Sequence, residues 1–331
     1  MARLRIGVVG VGRIGAFHAR TLQSLDAVAS VTLADLDVGR ATSLAAELDA
    51  ASAVGPEALV EAGIDALVIA APTPAHRSLL ALAAAAGLPA FCEKPVALDL
   101  PTLDTVIAEA AGVLVQVGFQ RRFDAGYRAA RDAVVSGAVG DVLALRAATH
   151  DPSPPPEDFI AKSGGIFRDL HIHDFDAIRY VTGREIVEVY ADGAVRTEPW
   201  FKKHNDVDVA AAVLRLDDGT LAIVSGTRHD PLGYDVRLEV FGTKDTIAVG
   251  VGERTPYRSV EPGVPPNEKG YANFMQRFEA AYRAELEAFV AAVRDGSPSP
   301  CTLHDARAAL AVAIAADRSR AERRPVRVDE V

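Results

Sequence analysis

The sequence predicts an α/β chain that opens on a doubly wound parallel sheet. It continues into an α+β part with a large, mostly antiparallel, open-faced sheet. Three observations carry this. The apolar stretch Leu4–Val9 runs straight into Gly10-Val11-Gly12-Arg13-Ile14-Gly15. Apolar runs then alternate with helical patterns as far as Val117, as expected for strands joined by crossover helices. Beyond Gly183 strand-like runs dominate, separated by turns such as Asp217-Asp218-Gly219, the pattern of antiparallel neighbours.

In chain order, the first strand is Leu4–Val9 and the second spans 27–34, ending just before Asp35. Further strands are expected at 66–70, 89–92 and 113–117, with helices at 75–86 and 101–111 between them. After Gly118 the pattern changes: a helix at 124–136, a strand at 142–148, a proline-rich loop at 152–156, then Gly164-Gly165 and a helix at 166–181. Strands at 187–191, 208–216, 221–227, 236–241 and 246–251 build the second sheet. Helices at 273–294 and 303–321 precede a short tail at 325–329. We divide the chain at 119/120, with the C-terminal helices able to pack back on the first domain. A second sheet covered by helices on one face leaves the other for a partner subunit, so a homo-oligomer, dimer or tetramer, is expected.

Bulk properties narrow the function. A chain of 331 residues that is 49% hydrophobic suits two well-buried domains. The 35 basic and 45 acidic residues give a formal charge of −10, which argues against nucleic-acid binding. Cys92 and Cys301 are the two cysteines and form no close-spaced cluster, so neither a disulfide framework nor a structural zinc is indicated, and a reducing cytoplasm fits. Arg3, Arg5, Arg13 and the glycines break the N-terminal apolar run, which resembles neither a signal peptide nor a membrane span.

The glycine segment carries specific chemistry. Gly10 permits a tight turn, Gly12 lets backbone approach a pyrophosphate, and Gly15 lets the next helix pack on the strand. The helix amides, from Arg13 and Ile14 onward, then face the phosphates. Asp35, 20 residues past Gly15, is placed to accept from both ribose hydroxyls and to repel a 2′-phosphate, favouring NAD over NADP. Arg40 is the one nearby cation that could meet such a phosphate if Asp35 turned away.

Two further places could carry a reaction. Lys94, in Glu93-Lys94-Pro95, follows a strand whose carboxyl end should open on the cofactor crevice, where an ammonium can stabilise charge on a reacting oxygen. In Arg168-Asp169-Leu170-His171-Ile172-His173-Asp174, Asp169 and His173 are four apart and share a helical face. A carboxylate beside an imidazole is a common device for taking a proton from an alcohol near neutral pH. His171 lies off that face and reads as structural or at the edge of the pocket. A zinc site of His171, His173 and Asp174 is disfavoured, because residues two apart diverge on a helix.

These motifs, with Ala71-Pro72-Thr73 and His76, together resemble the glucose-fructose oxidoreductase, inositol dehydrogenase and MocA family over essentially the whole chain. The strings Gly118-Phe119-Gln120-Arg121-Arg122-Phe123-Asp124, Asp151-Pro152-Ser153-Pro154-Pro155-Pro156 and Ile172-His173-Asp174-Phe175-Asp176 are particularly similar to inositol 2-dehydrogenases. The resemblance implies a Rossmann domain, NAD as cofactor, and oxidation of a cyclic polyol, myo-inositol, to its 2-ketone, with no metal. It makes His173 the base, Asp169 its partner and a substrate ligand, and Lys94 the residue that polarises the reacting oxygen. It adds Ala71, Pro72, Thr73, His76, Glu93, Lys94 and Gln120 to the cofactor contacts. Arg122, Asp151 and Tyr234 become substrate contacts, with ion pairing of Arg122 to Asp124 or Glu93 as the competing reading. Asp151 stands where some relatives have asparagine, and Gln120 where methionine is frequent. A pyranose dehydrogenase and a non-catalytic NAD-binding sensor are the alternatives. The absence of any Tyr-x-x-x-Lys disfavours a short-chain dehydrogenase.

Overall fold

The computed structural model describes residues 3–331, in two compact units. The first takes the chain up to Gln120 together with Ala280–Arg307, and the second takes Arg121–Glu279 and Ala308–Val331.

The first unit comprises β1 (Leu4–Val9), α1 (Arg13–Gln23), β2 (Val28–Ala34), α2 (Val38–Glu47), β3 (Ala51–Ser52), α3 (Pro56–Glu61), β4 (Ala66–Ile69), α4 (His76–Ala85), β5 (Ala90–Glu93), α5 (Leu100–Glu109) and β6 (Val115–Gly118). All its strands are parallel in the order β3-β2-β1-β4-β5-β6, so strand order reverses beside β1, where doubly wound sheets bind their ligands. The last three strands are buried at every position, as a sheet covered on both faces requires. Val8, Val31, Val68 and Phe91 form the core with Leu286, Phe289 and Val290 from the returning segment. The stretch from 38 to 61 carries elements that the apolar pattern does not predict. The Asp37 carboxylate, accepting from Arg40 N, caps α2, and Pro56 opens α3.

The second unit holds α6 (Ala125–Val135), β7 (Val142–His150), α7 (Glu157–Ser163), a π-helical turn (Phe167–His171), α8 (Ile172–Thr182), β8 (Ile186–Ala194), α9 (Trp200–Lys203), β9 (Val209–Leu216), β10 (Leu221–Thr227), β11 (Asp235–Gly242) and β12 (Thr246–Val249). Next in the chain come α10 (Phe274–Asp295), which bends at Phe278, α11 (Leu303–Glu322) and β13 (Val326–Arg327). The seven-stranded sheet runs β12-β11-β7-β10-β9-β8-β13 and is antiparallel except between β7 and β10. Along β9, Ala210, Ala212, Leu214 and Leu216 are buried while Ala211, Val213 and Arg215 are exposed, so one face is core and the other open. The expected single helix at 166–181 is corrected: it begins with the π-helical turn and becomes α-helical only at Ile172. The short tail forms a strand that the sequence does not announce, β13, which pairs with the edge strand β8.

Candidate active site

In the first unit the carboxyl ends of parallel β1, β4 and β5 bring Gly10, Ala71 and Lys94 to one edge of the sheet. Gly10 has φ +85°, and a β-carbon on it would lie 2.5 Å from Ala71 N. A β-carbon on Gly15 would overlap the Gly10 carbonyl oxygen, whereas one on Gly12 would meet nothing within 4 Å. The three glycines thus serve for turn, open approach and close packing, as their spacing predicts. No side chain caps α1 and its first turn holds no acid, so its first amides, including those of Arg13 and Ile14, can receive an anion.

Asp35 ends β2 with Oδ2 accepting from Val11 N at 2.8 Å and Oδ1 from Asp37 N at 2.9 Å. Its carboxylate is thereby held against the glycine loop, 3.5 Å from Arg40 Nη1.

Two residues expected among the cofactor contacts also tie the surrounding loops together. The buried His76 ring sets Nδ1 at 3.0 Å from Pro95 O and Nε2 at 2.8 Å from Ala71 O, tying the loop after β4 to the loop after β5. Its burial lowers its pKa despite those carbonyls. Glu93 turns inward: Oε1 is 2.6 Å from Nε2 of the fully buried His18, and Oε2 accepts from Lys94 N at 3.3 Å. Both are therefore read as holding the loops, Glu93 fixing the backbone that carries Lys94. The Thr73–Ala75 turn after Pro72 feeds directly into α4. Gln120 is 2% exposed and its Oε1 has no protein partner, an acceptor suited to a donor brought by a ligand. The open Gly12, the uncapped helix and this orphaned amide all fit a dinucleotide with an amide-bearing ring.

In the second unit the single parallel pairing decides the geometry. With Thr227 opposite His150, the chain leaves β10 and β7 at the same end, and Asp151 N donates to Thr227 O at 2.9 Å. Arg228 and Asp151 therefore emerge side by side. Arg228 donates through Nη1 to Asp151 Oδ2 at 2.9 Å and through Nη2 to Asp169 Oδ2 at 2.8 Å. Its side chain is 3% exposed, against 19% for Asp151 and 13% for Asp169. Burial works against its charge, yet the two carboxylates hold its pKa above the ordinary arginine value. No sequence motif marked this arginine.

The π-helical turn presents Asp169. Gly165, at φ +92°, lies against Asp206, whose Oδ1 accepts from Ile166 N at 2.9 Å and so fixes the entry to the turn. Behind the turn Asp174 is fully buried. It accepts from Arg121 Nη1 at 2.5 Å and from Thr149 Oγ1 and His171 Nδ1, each at 2.8 Å. Burial would raise its pKa, but the Arg121 charge and His171 bring it below the usual carboxylate value. His171 is thus structural, as its position suggests. His173 follows in the first turn of α8, half-buried.

Arg122 is buried in a two-pronged pair with Asp176, at 2.9 and 2.6 Å, and lies over the Tyr180 ring, which ties it to α8. Tyr234 precedes β11, pinned by its N–H to Tyr271 O at 2.7 Å with its ring edge-on to Phe274 and Phe278. Burial raises its pKa, with Arg121 opposing and Asp151 and Asp174 adding to the rise, which places the phenol near those groups.

A family model described as an oxidoreductase family with an NAD-binding Rossmann fold matches residues 4–119, and the Gfo/Idh/MocA C-terminal domain matches residues 127–248. The chain belongs to the Gfo/Idh/MocA oxidoreductases. As a member of this family it is an NAD-dependent dehydrogenase. A myo-inositol dehydrogenase of Streptomyces leeuwenhoekii is 41% identical to this Gfo/Idh/MocA chain, covering 96% of it and 97% of the relative. A probable dehydrogenase from Thermotoga maritima superposes with a TM-score of 0.93 at 36% identity, covering 99% of this chain and 100% of the other. A scyllo-inositol dehydrogenase from Lactobacillus casei, solved with NAD(H) and scyllo-inositol, gives a TM-score of 0.88 at 30% identity, with 99% of each chain covered. Among the described residues no group of three or more His, Cys, Asp or Glu could hold a metal, and no helix is long and apolar enough to cross a membrane.

Proposed function

We propose that this protein oxidises a cyclic polyol, myo-inositol, at carbon 2 to the ketone 2-keto-myo-inositol (scyllo-inosose). The observation that carries the substrate class is the pair of partly exposed carboxylates, Asp151 and Asp169, backed by one sealed arginine. Such a wall accepts hydrogen bonds from neighbouring hydroxyls and discriminates strongly, because a polar group left unpaired there is costly. Names of relatives matched over nearly the full chain point the same way.

When bound, NAD supplies the hydride acceptor. The chain's own residues divide the remaining work. Lys94 donates a hydrogen bond to the reacting oxygen and stabilises the negative charge that grows on it. His173 takes the hydroxyl proton on its imidazole, and Asp169 orients that ring and stabilises its cation. Gly12 and the first amides of α1 hold the pyrophosphate, Asp35 the adenosine ribose, and Gln120 the carboxamide. Tyr234 contributes its phenol to the polyol pocket.

We further propose a homotetramer in the cytoplasm, in which a second copy of the chain covers the open sheet face. Exposed Tyr190, Val213, Leu221 and Ile223 lie there among the pairs Arg146–Glu239 and Arg215–Glu188. Cys92 and Cys301 are buried free thiols, consistent with a reducing compartment.

The test is NADH formation with NAD or NADP against myo-, scyllo- and chiro-inositol, glucose and xylose, with light scattering on the same sample. Turnover of an inositol with NAD is expected. Preference for a pyranose would move the substrate, and silence on all five despite tight NAD binding would favour a non-catalytic sensor.

A further inference from the structure

We propose that Arg228 is the positioning residue of the substrate side, its fork fixing Asp151 and Asp169 side by side so that both can read hydroxyl groups. This rests on the polyol reading above. Three observations support it. The guanidinium gives one prong to each carboxylate rather than both to one, so it sets the spacing between them. It is the most sealed of the three groups, standing behind two carboxylates that are each several times more exposed. Its backbone is fixed too: Arg228 N donates to Asp208 O at 2.7 Å, and Gly226 just before it lacks the β-carbon that would collide with His171.

The physical need is clear. Two carboxylates this close repel each other, and without a cation between them one turns away or takes up a proton. A protonated acid donates where the wall should accept. A lysine carries the charge but not the planar fork, so it can hold one carboxylate well and not both. Arg228 itself touches no reacting atom in this scheme.

The experiment compares wild type with Arg228→Ala and Arg228→Lys by steady-state kinetics on myo-inositol, NAD titration and thermal melting, with and without added guanidinium ion. We expect Arg228→Ala to bind NAD as wild type does, while kcat/KM for the polyol falls roughly a hundredfold, the scale of a one-ångström misplacement. Much of that loss lies in KM. Guanidinium should restore much of the activity, and ammonium at equal ionic strength should not. Arg228→Lys should stay impaired. Wild-type kinetics in Arg228→Ala, or a folded, NAD-binding variant that guanidinium fails to rescue, would overturn the proposal. If Arg228→Ala does not fold, Arg228→Lys decides, since full activity in it contradicts the need for a fork. If wild type is silent on every inositol, the functional reading fails separately. The crystal structure of Arg228→Lys then decides the positioning role: carboxylates swung apart sustain it, and carboxylates in place overturn it.

Discussion

Gly15 lies so close beneath Gly10 that a β-carbon on Gly15 would fall on the Gly10 carbonyl oxygen. The glycine turn and the start of α1 are therefore one packed unit. Gly12 differs, since a β-carbon there meets no protein atom within 4 Å. Gly15→Ala is expected to lower stability by about 1 to 3 kcal/mol through overpacking, and to weaken NAD binding with it. Gly12→Ala is expected to melt as wild type does yet bind NAD poorly. Melting curves and NAD titrations check both, and equal melting of the two variants would contradict the division of labour.

Asp35 should set cofactor choice. Its carboxylate is anchored by two backbone amides and sits beside Arg40. Asp35→Ala removes the ribose acceptor and leaves Val11 N and Asp37 N without theirs, a loss of about 1 to 3 kcal/mol, or roughly tenfold to hundredfold in KM for NAD. With Arg40 released, the preference for NAD over NADP should shrink. An unchanged ratio of the two kcat/KM values would contradict this.

Asp174 should be the most sensitive position of the second unit. Fully buried, it joins Arg121, Thr149 and His171. Asp174→Asn would strand the buried Arg121 charge and is expected to cost about 3 to 5 kcal/mol, measured by urea unfolding. Its folded pKa lies below that of an ordinary aspartate, about 3.9. The stabilisation is thus complete above that value and is lost as pH falls through the folded pKa.

Asp317 should give a pH dependence of the opposite sign. Burial pushes its pKa up to about 6, against the opposing charges of Arg168 and Arg320. Because the folded value exceeds the unfolded one, stability is greatest below the unfolded pKa and declines as pH rises through the window between them, by up to about 3 kcal/mol. Asp317→Asn should therefore gain on wild type in unfolding free energy at neutral pH but not in the acid range. A difference independent of pH would contradict the assignment.

The sequence makes the glycine loop, Asp35 and Lys94 legible because each depends on local backbone geometry or on the end of a recognisable strand. Arg228 was not legible, since its partners lie 77 and 59 residues away and meet it only through the parallel pairing of β7 with β10. Arg121 is likewise 53 residues from Asp174, and His18 is 75 from Glu93. Spacing alone also does not foretell the backbone of the segment holding Asp169, where a π-helical turn occupies Phe167–His171 before α8 begins. The helices α2 and α3 escaped the apolar pattern for a simpler reason. They are short, and their starts are written in an aspartate cap and a proline rather than in hydrophobic periodicity.

The measurement that bears most directly on the central claim is isotope transfer. Incubating the protein with NAD and myo-inositol carrying deuterium at carbon 2, and weighing the reduced cofactor by mass spectrometry, follows the hydride itself. The account predicts NADH bearing the deuterium, formed by wild type and nearly abolished in His173→Ala. Unlabelled NADH, or equal transfer by the His173→Ala variant, would contradict it.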